Sequence, residues 1–158
     1  MSREYVTALK ESLEKKLKVL EELQRMVKSQ TELLSNEELD YDAFNDLMDE
    51  RDILIEKLNK LDEGFELVYT RVSEELKTNK VAYADDITAM QKLITRITEL
   101  TTSIEAAERR NKQSLDNAFL RDRRKASEGR RSVNVAMNYY KNMSGLNVND
   151  SRYMDSKK

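Results

Sequence analysis

The sequence contains no cysteine, no histidine, no proline and no tryptophan, and only three of its 158 residues are glycine. Without cysteine and histidine it cannot form a disulfide, a thiol nucleophile, an imidazole base or an ordinary zinc site. No glycine-rich loop that could hold a nucleotide phosphate is present either. We therefore expect no enzyme, no metal and no other cofactor. The missing proline and scarce glycine also favour an all-α fold, because these residues most often end helices and form tight turns.

Long apolar runs are missing as well. No stretch of 18 apolar residues occurs. The first twelve residues contain charged side chains from Arg3 onward and no apolar run. We therefore expect neither a membrane-spanning helix nor a cleaved signal peptide. A chain without cysteine suits a reducing compartment, so the cytoplasm is the expected location.

Charge is abundant but unevenly distributed. Residues 1–108 carry 15 basic and 25 acidic groups, whereas residues 109–158 carry 13 basic and 5 acidic groups. The basic run from Arg109 to Arg131 is compatible with a solvated helix face, with nucleic acid or with anionic lipid. No nucleic-acid-binding motif accompanies it and the overall pI is about 5.5. We therefore expect no nucleic-acid partner and no membrane insertion.

Apolar residues recur at alternating steps of three and four in three long stretches, which is the pattern of amphipathic helices. The helices are predicted at about residues 3–34, 40–78 and 85–128. Short connections between long helices force neighbours to run antiparallel. The predicted fold is an elongated antiparallel three-helix bundle, up-down-up, over residues 1–130. An amphipathic, partly disordered segment with a short helix or tail is expected over residues 131–158.

Details of the pattern predict how the helices are placed. The second stripe is the most regular, so its helix is expected to be the spine of the bundle. Its one polar member, Arg51, is expected to pair with a carboxylate of a neighbouring helix or to lay its stem along the core edge. In the third helix, Glu108 and Asn111 occupy expected core positions before apolar residues return. The third helix outruns the first, so its far end should protrude or be covered.

Three helix caps are also suggested by the residues at the connections. Before the second helix, either Ser35 with Glu38 or Asp40 is suited to the N-cap. After it, Asn79 is the expected C-cap, and Asp85 is the expected N-cap of the third helix.

The C-terminal stretch "SVNVAMNYYKNM" predicts a short helix with one apolar strip. Val133, Ala136, Met137 and Tyr140 fall at positions i, i+3, i+4 and i+7, and Met143 follows three residues later. A helix this short is marginal alone and must dock on something. Methionine and tyrosine suit a surface that receives an incoming peptide. Alternatively, the strip caps the bundle's own core. Both interpretations are correct if the strip covers a groove until the incoming peptide displaces it.

Three segments resemble the FlgN family of flagellar export chaperones, in a form typical of Gram-positive bacteria. They are "FNDLMDERDILIEKLNKL", "ITELTTSIEAAERRNKQSLDNAFL" and "NYYKNM". The resemblance implies a cytoplasmic helical chaperone that binds the C-terminal helices of hook–filament junction proteins. Such a chaperone prevents premature assembly and delivers its cargo to the export gate. It also implies a tyrosine that binds the gate, and here either Tyr139 or Tyr140 matches.

The stripe and the tail together suggest a cargo-binding surface, steered by the basic residues from Arg121 to Arg131. Its expected members are the apolar residues at the far end of the third helix and along the C-terminal strip: Leu115, Phe119, Val133, Met137, Tyr140 and Met143. The alternative hypothesis is a coiled-coil structural or scaffold protein that self-associates. A weak homodimer is compatible with the chaperone as well.

Overall fold

The structure, a computed structural model, describes residues 2–122 and 134–138. The chain forms three long α-helices: α1 (Ser2–Leu34), α2 (Tyr41–Thr78) and α3 (Ala84–Asp122). Residues 134–138 are also helical and are named the C-terminal turn below. No strand occurs in these two stretches, which confirms the all-α prediction. The predicted continuation of the third helix to residue 128 lies outside the described residues.

The helix ends follow local capping chemistry. Asp40 is the N-cap of α2, and its Oδ1 atom accepts a hydrogen bond of 3.0 Å from the Ala43 amide. Of the two candidate caps, the chain therefore uses Asp40 rather than Ser35. Asn79 is the C-cap of α2, as predicted, and its amide donates to the Glu75 carbonyl. The prediction for Asp85 was wrong, because α3 already begins at Ala84.

The register of the contacts gives the up-down-up topology. Lys16 in α1 lies 2.7 Å from the carboxylate of Asp62 in α2, whereas Gln30 further along α1 contacts Met48 earlier in α2, so these two helices run antiparallel. Arg3 contacts Asp86 at the start of α3, while Asn111 near its end bonds to Val27, so α1 and α3 run parallel. The bundle thus has a proximal end, where α3 begins, and a distal end, where α1 ends and α2 begins.

The middle position in the bundle is held by α1, which packs against both α2 and α3, whereas α2 and α3 approach each other less closely. The expectation that the second helix is the spine was therefore wrong. The buried stripe of α2 includes Phe44, Phe65 and Arg51, whereas that of α1 consists mainly of leucine and valine.

The buried apolar residues form two separate clusters. The main core runs from Val6 at the proximal end to Ile104. A second group, named the distal cluster, closes the other end with six buried residues: Leu39, Phe44, Met48, Leu115, Ala118 and Ala136. Gly64 lies inside α2 without ending it, so the helix is continuous as expected.

Candidate functional site

A buried ion pair links α2 and α3 between the two apolar clusters. Arg51 donates from Nε to Glu108 Oε2 at 2.6 Å and from Nη2 to Oε1 at 3.2 Å, and the two residues are only 2% and 7% exposed. This two-point geometry suits a guanidinium and a carboxylate. It confirms that Arg51 pairs with a carboxylate of a neighbouring helix, and it explains why a glutamate stands in the stripe of α3.

Hydrogen bonds from an amide side chain join α3 to α1 one helical turn beyond Glu108. Asn111 donates from Nδ2 to the Val27 carbonyl at 3.3 Å, and its Oδ1 accepts a 2.8 Å hydrogen bond from the Thr31 hydroxyl. Gln30 donates to the sulfur of Met48, which joins α1 to α2. Buried polar groups stabilise a fold only when they are bonded, and these bonds hold all three helices in register at the base of the distal cluster.

The distal cluster forms where α3 continues beyond the end of α1. Leu39 comes from the connection between α1 and α2, while Phe44 and Met48 come from α2. Leu115 and Ala118 of α3 pack against them and are buried. The far end of α3 is therefore covered, as one of the two expected arrangements required. The cover includes the C-terminal turn, which places Ala136 in the cluster with no exposed surface.

An aromatic and acidic contact forms the rim of this cluster. The rings of Tyr41 and Phe119 are stacked with their centroids 5.9 Å apart. The Tyr41 hydroxyl donates to Asp122 Oδ2 at 2.7 Å. Burial, and after it the hydrogen bond to this carboxylate, raises the pKa of the Tyr41 phenol well above its usual range. The neutral phenol thus ties the start of α2 to the end of the described part of α3.

We expect Tyr41→Phe to lower the free energy of unfolding by about 1 kcal/mol at neutral pH, because it removes one hydrogen bond and keeps the ring. Urea denaturation followed by circular dichroism measures the change. Tyr5→Phe is the matched control, since the Tyr5 ring lies beside the Arg71 guanidinium and the substitution leaves that contact in place. An equal loss in both variants would contradict the assigned role of the Tyr41 hydroxyl.

Tyr41→Phe should also change how the free energy of unfolding depends on pH. A phenol whose pKa is raised by folding contributes stability below its unfolded pKa of about 10 and loses that contribution as the pH rises further. The wild-type protein should therefore lose more stability than Tyr41→Phe as the pH is raised above about 10. Any contribution that does not involve Tyr41 is common to both proteins and cancels in the comparison.

The structure describes three of the residues that sequence reasoning placed at the site. Leu115 is fully buried in the distal cluster, Phe119 is half-buried at its rim, and Met137 is half-buried in the C-terminal turn. The remaining predicted residues lie outside the described part of the chain: Val133, Tyr139, Tyr140 and Met143.

Of the six buried residues of the distal cluster, only Leu115 was among the expected members of the cargo surface, although the sequence contained signals for others. Leu39 directly precedes the N-cap Asp40, and Phe44 follows that cap by four positions, which is the spacing of a hydrophobic staple. Ala136 lies on the C-terminal strip but was not among the expected members of the cargo surface. All three residues are buried in the distal cluster.

The described stretches contain no candidate metal site. The acidic residues there form no group of three that could hold a metal ion. None of the helices in the same stretches combines the length and apolar character needed to cross a membrane.

Comparison with known proteins supplies the family. The family model described as FlgN protein matches residues 1–142, about nine-tenths of the chain. No curated protein and no solved structure shows a significant match. The matched range includes the polar residues at the base of the distal cluster, the cluster itself and every predicted site residue except Met143. The chain therefore belongs to the FlgN family, which implies a role as a flagellar export chaperone.

Proposed function

We propose that this protein is a cytoplasmic chaperone that binds the C-terminal helices of hook–filament junction proteins, prevents their premature assembly and delivers them to the flagellar export gate. Family membership supports the general role in export. The specific role rests on one observation: the distal cluster is an apolar site that the chain closes with the side chain of an alanine.

Ala136 fills only a small volume of the distal cluster. Ala136 contributes one methyl group, and burying a group of this size stabilises by about 0.8 kcal/mol. A leucine or phenylalanine from a cargo helix contributes roughly 1.5–3 kcal/mol when it is fully buried. The Ala136 side chain is thus a weak occupant of the cluster, and a larger apolar side chain from a cargo helix can replace it.

The cargo helix lies with its apolar face against the distal end, in the manner of an amphipathic helix in a groove. Leu115 and Phe119 of α3 form one side of the site. Once the cargo helix has taken the place of Ala136 in the cluster, the displaced C-terminal segment packs its apolar strip against the outer side of that helix: Val133, Met137, Tyr140 and Met143. The flexible methionine side chains accommodate different cargo surfaces. Basic residues from Arg121 to Arg131 attract acidic cargo and increase the rate of encounter.

This arrangement accounts for both parts of the chaperone role. A bound cargo helix has its apolar face covered, so the face cannot pair with other junction-protein subunits. Delivery requires a second contact on the chaperone, and either Tyr139 or Tyr140 makes it with the export gate. Neither step requires a cofactor.

The test is the affinity for a peptide of a junction-protein C-terminal helix, measured by calorimetry. We expect the double substitution Met137→Asp and Tyr140→Asp to weaken binding at least tenfold, because each variant residue places a charge on the apolar strip. Tyr139→Asp is the matched control, since position 139 lies beside the strip and should leave the cargo affinity nearly unchanged.

Unchanged affinity in the double variant would remove the C-terminal strip from the cargo site. Light scattering on the wild-type protein tests the scaffold alternative. A tight dimer that dissociates only when the helices unfold would contradict the proposed function, because a chaperone of this kind has to fold as a monomer.

A further inference from the structure

A second apolar surface lies along α1 and α2, away from α3. Two adjoining open pockets of about 380 and 490 Å³ share Ser29 and Leu47 in their linings. Together they are named the α1–α2 groove. Its floor is apolar, with Met26, Leu47 and Leu54, and Ile53 stands at its edge with 58% of its surface exposed.

The rim of the α1–α2 groove is acidic. Glu22 and Glu32 line it from α1, and Asp46 and Glu50 line it from α2. All four are exposed, and Arg25 is the single basic residue among those that line the two pockets. Asp46 and Glu50 are one helical turn apart, a spacing at which like charges repel each other. A cationic partner would relieve that repulsion.

The sequence around the groove strengthens this charge. Residues 29–52 contain nine acidic residues and one basic residue, Arg51. That arginine is buried and bonded to Glu108, so it does not neutralise the surface. The distal half of the α1–α2 face therefore presents negative charge around an apolar floor.

The dimensions of the groove match a short helix. Its lining extends from Glu22 to Leu33 on α1 and from Ala43 to Leu54 on α2. Each of these stretches spans about 17 Å at the helical rise of 1.5 Å per residue. This length accommodates about three turns of a docked helix, enough for apolar anchors at positions i, i+3 or i+4, and i+7.

We propose that the α1–α2 groove binds a basic amphipathic helix of another protein. The apolar face of that helix packs on Met26, Leu47 and Ile53, and its flanking lysine or arginine residues pair with the acidic rim. The groove shares only Leu33 with the rim of the distal cluster, so this docking site does not depend on the proposed cargo site.

The test uses the full-length protein and a fluorescently labelled synthetic peptide of leucine and lysine, about four turns long, with leucine at the anchor positions. Fluorescence anisotropy at low and at physiological salt measures its affinity. We expect salt-sensitive binding that weakens about tenfold or more in Ile53→Asn, which removes an apolar anchor without changing the charge, and in the double variant Asp46→Lys with Glu50→Lys. Circular dichroism checks that these exposed positions leave the helices intact.

Matched controls lie on the same helix outside the groove. Leu67→Asn introduces the same amide side chain at an apolar residue that is 69% exposed, and the double variant Glu63→Lys with Glu66→Lys makes the same charge change as Asp46→Lys with Glu50→Lys. Both should alter the affinity less than twofold. If the controls weaken binding as much as the groove variants, the attraction is general and the proposal is wrong.

Two other occupants would also overturn the proposal. If light scattering finds a dimer that the groove variants convert to monomer, the groove binds a second copy of this chain. If replacing Arg123, Arg124 and Lys125 with glutamate tightens peptide binding severalfold, while the same change at the exposed residues Arg109, Arg110 and Lys112 does not, the groove already holds the chain's own basic segment. The junction-protein peptide should bind the groove variants normally, which separates a failure here from a failure of the proposed function.

Discussion

Replacing Glu108 with alanine is expected to lower the free energy of unfolding by about 3–5 kcal/mol. The substitution removes the carboxylate that pairs with Arg51 and leaves a guanidinium, 2% exposed, in the interior between α2 and α3. A buried charge that loses its partner keeps the cost of leaving water without the compensating attraction. The loss should therefore be far greater than for an ion pair on the surface.

Urea denaturation measured by circular dichroism provides the test, and Glu56→Ala is its control. Glu56 pairs with Lys60 one turn along α2, and both side chains are at least 70% exposed. Exposed pairs of this type contribute at most about 0.5 kcal/mol. A loss below about 1 kcal/mol in Glu108→Ala would show that water or another group compensates Arg51.

The double variant Arg51→Met with Glu108→Leu distinguishes the effect of the buried charge on stability from the effect of packing. Replacing both members of a buried ion pair by apolar residues of similar size is often neutral or stabilising. We expect the double variant to recover most of the stability lost in Glu108→Ala. A double variant that is as unstable as the single one would indicate that packing, rather than the uncompensated charge, determines the loss.

The helices themselves were predictable because the helical spacing continues through each of them, even where a polar residue occupies a stripe position. Apolar residues recur at helical spacing over more than thirty residues in each of them, and no proline intervenes. Asn79 could be identified as a cap because asparagine tolerates the end of a helix. Arg51 and Glu108 could each be found as polar residues within a stripe, which predicted a paired arginine.

The arrangement of the helices was less predictable, since a periodic stripe shows which face is apolar but not which neighbour covers it. The central place of α1 is settled only when all three helices pack together. The α1–α2 groove depends in the same way on the rotation of two helices. The spacing of Glu22, Glu32, Asp46 and Glu50 in the sequence does not reveal their common rim.

The distal cluster was predictable in part. The return of apolar residues after Asn111 indicated that the end of the third helix needs a cover, and the strip at the C-terminus was a candidate for it. The side chain that enters the cluster is Ala136, because a small residue lets the C-terminal turn approach closely. The predicted surface contained only the larger residues of the strip, although close packing depends on shape as much as on hydrophobicity.

Leu115→Ala is expected to reduce both stability and cargo binding, and a comparison with Leu100→Ala separates the two effects. Both leucines lie on α3 and are at most 1% exposed, but Leu100 belongs to the main core and Leu115 to the distal cluster. Each substitution leaves a cavity and should lower the free energy of unfolding by about 2–5 kcal/mol. Denaturation with urea measures this loss.

Cargo affinity should differ between the two variants at a temperature where both are folded. Leu115 lies in the same cluster as Ala136, so a cargo helix that replaces the C-terminal turn packs on the Leu115 side chain. We expect the junction-protein peptide to bind Leu115→Ala about tenfold more weakly and Leu100→Ala almost normally, in calorimetry. Equal affinities in the two variants would mean that cargo never reaches the distal cluster, and the alanine cover would then be a structural closure of the bundle.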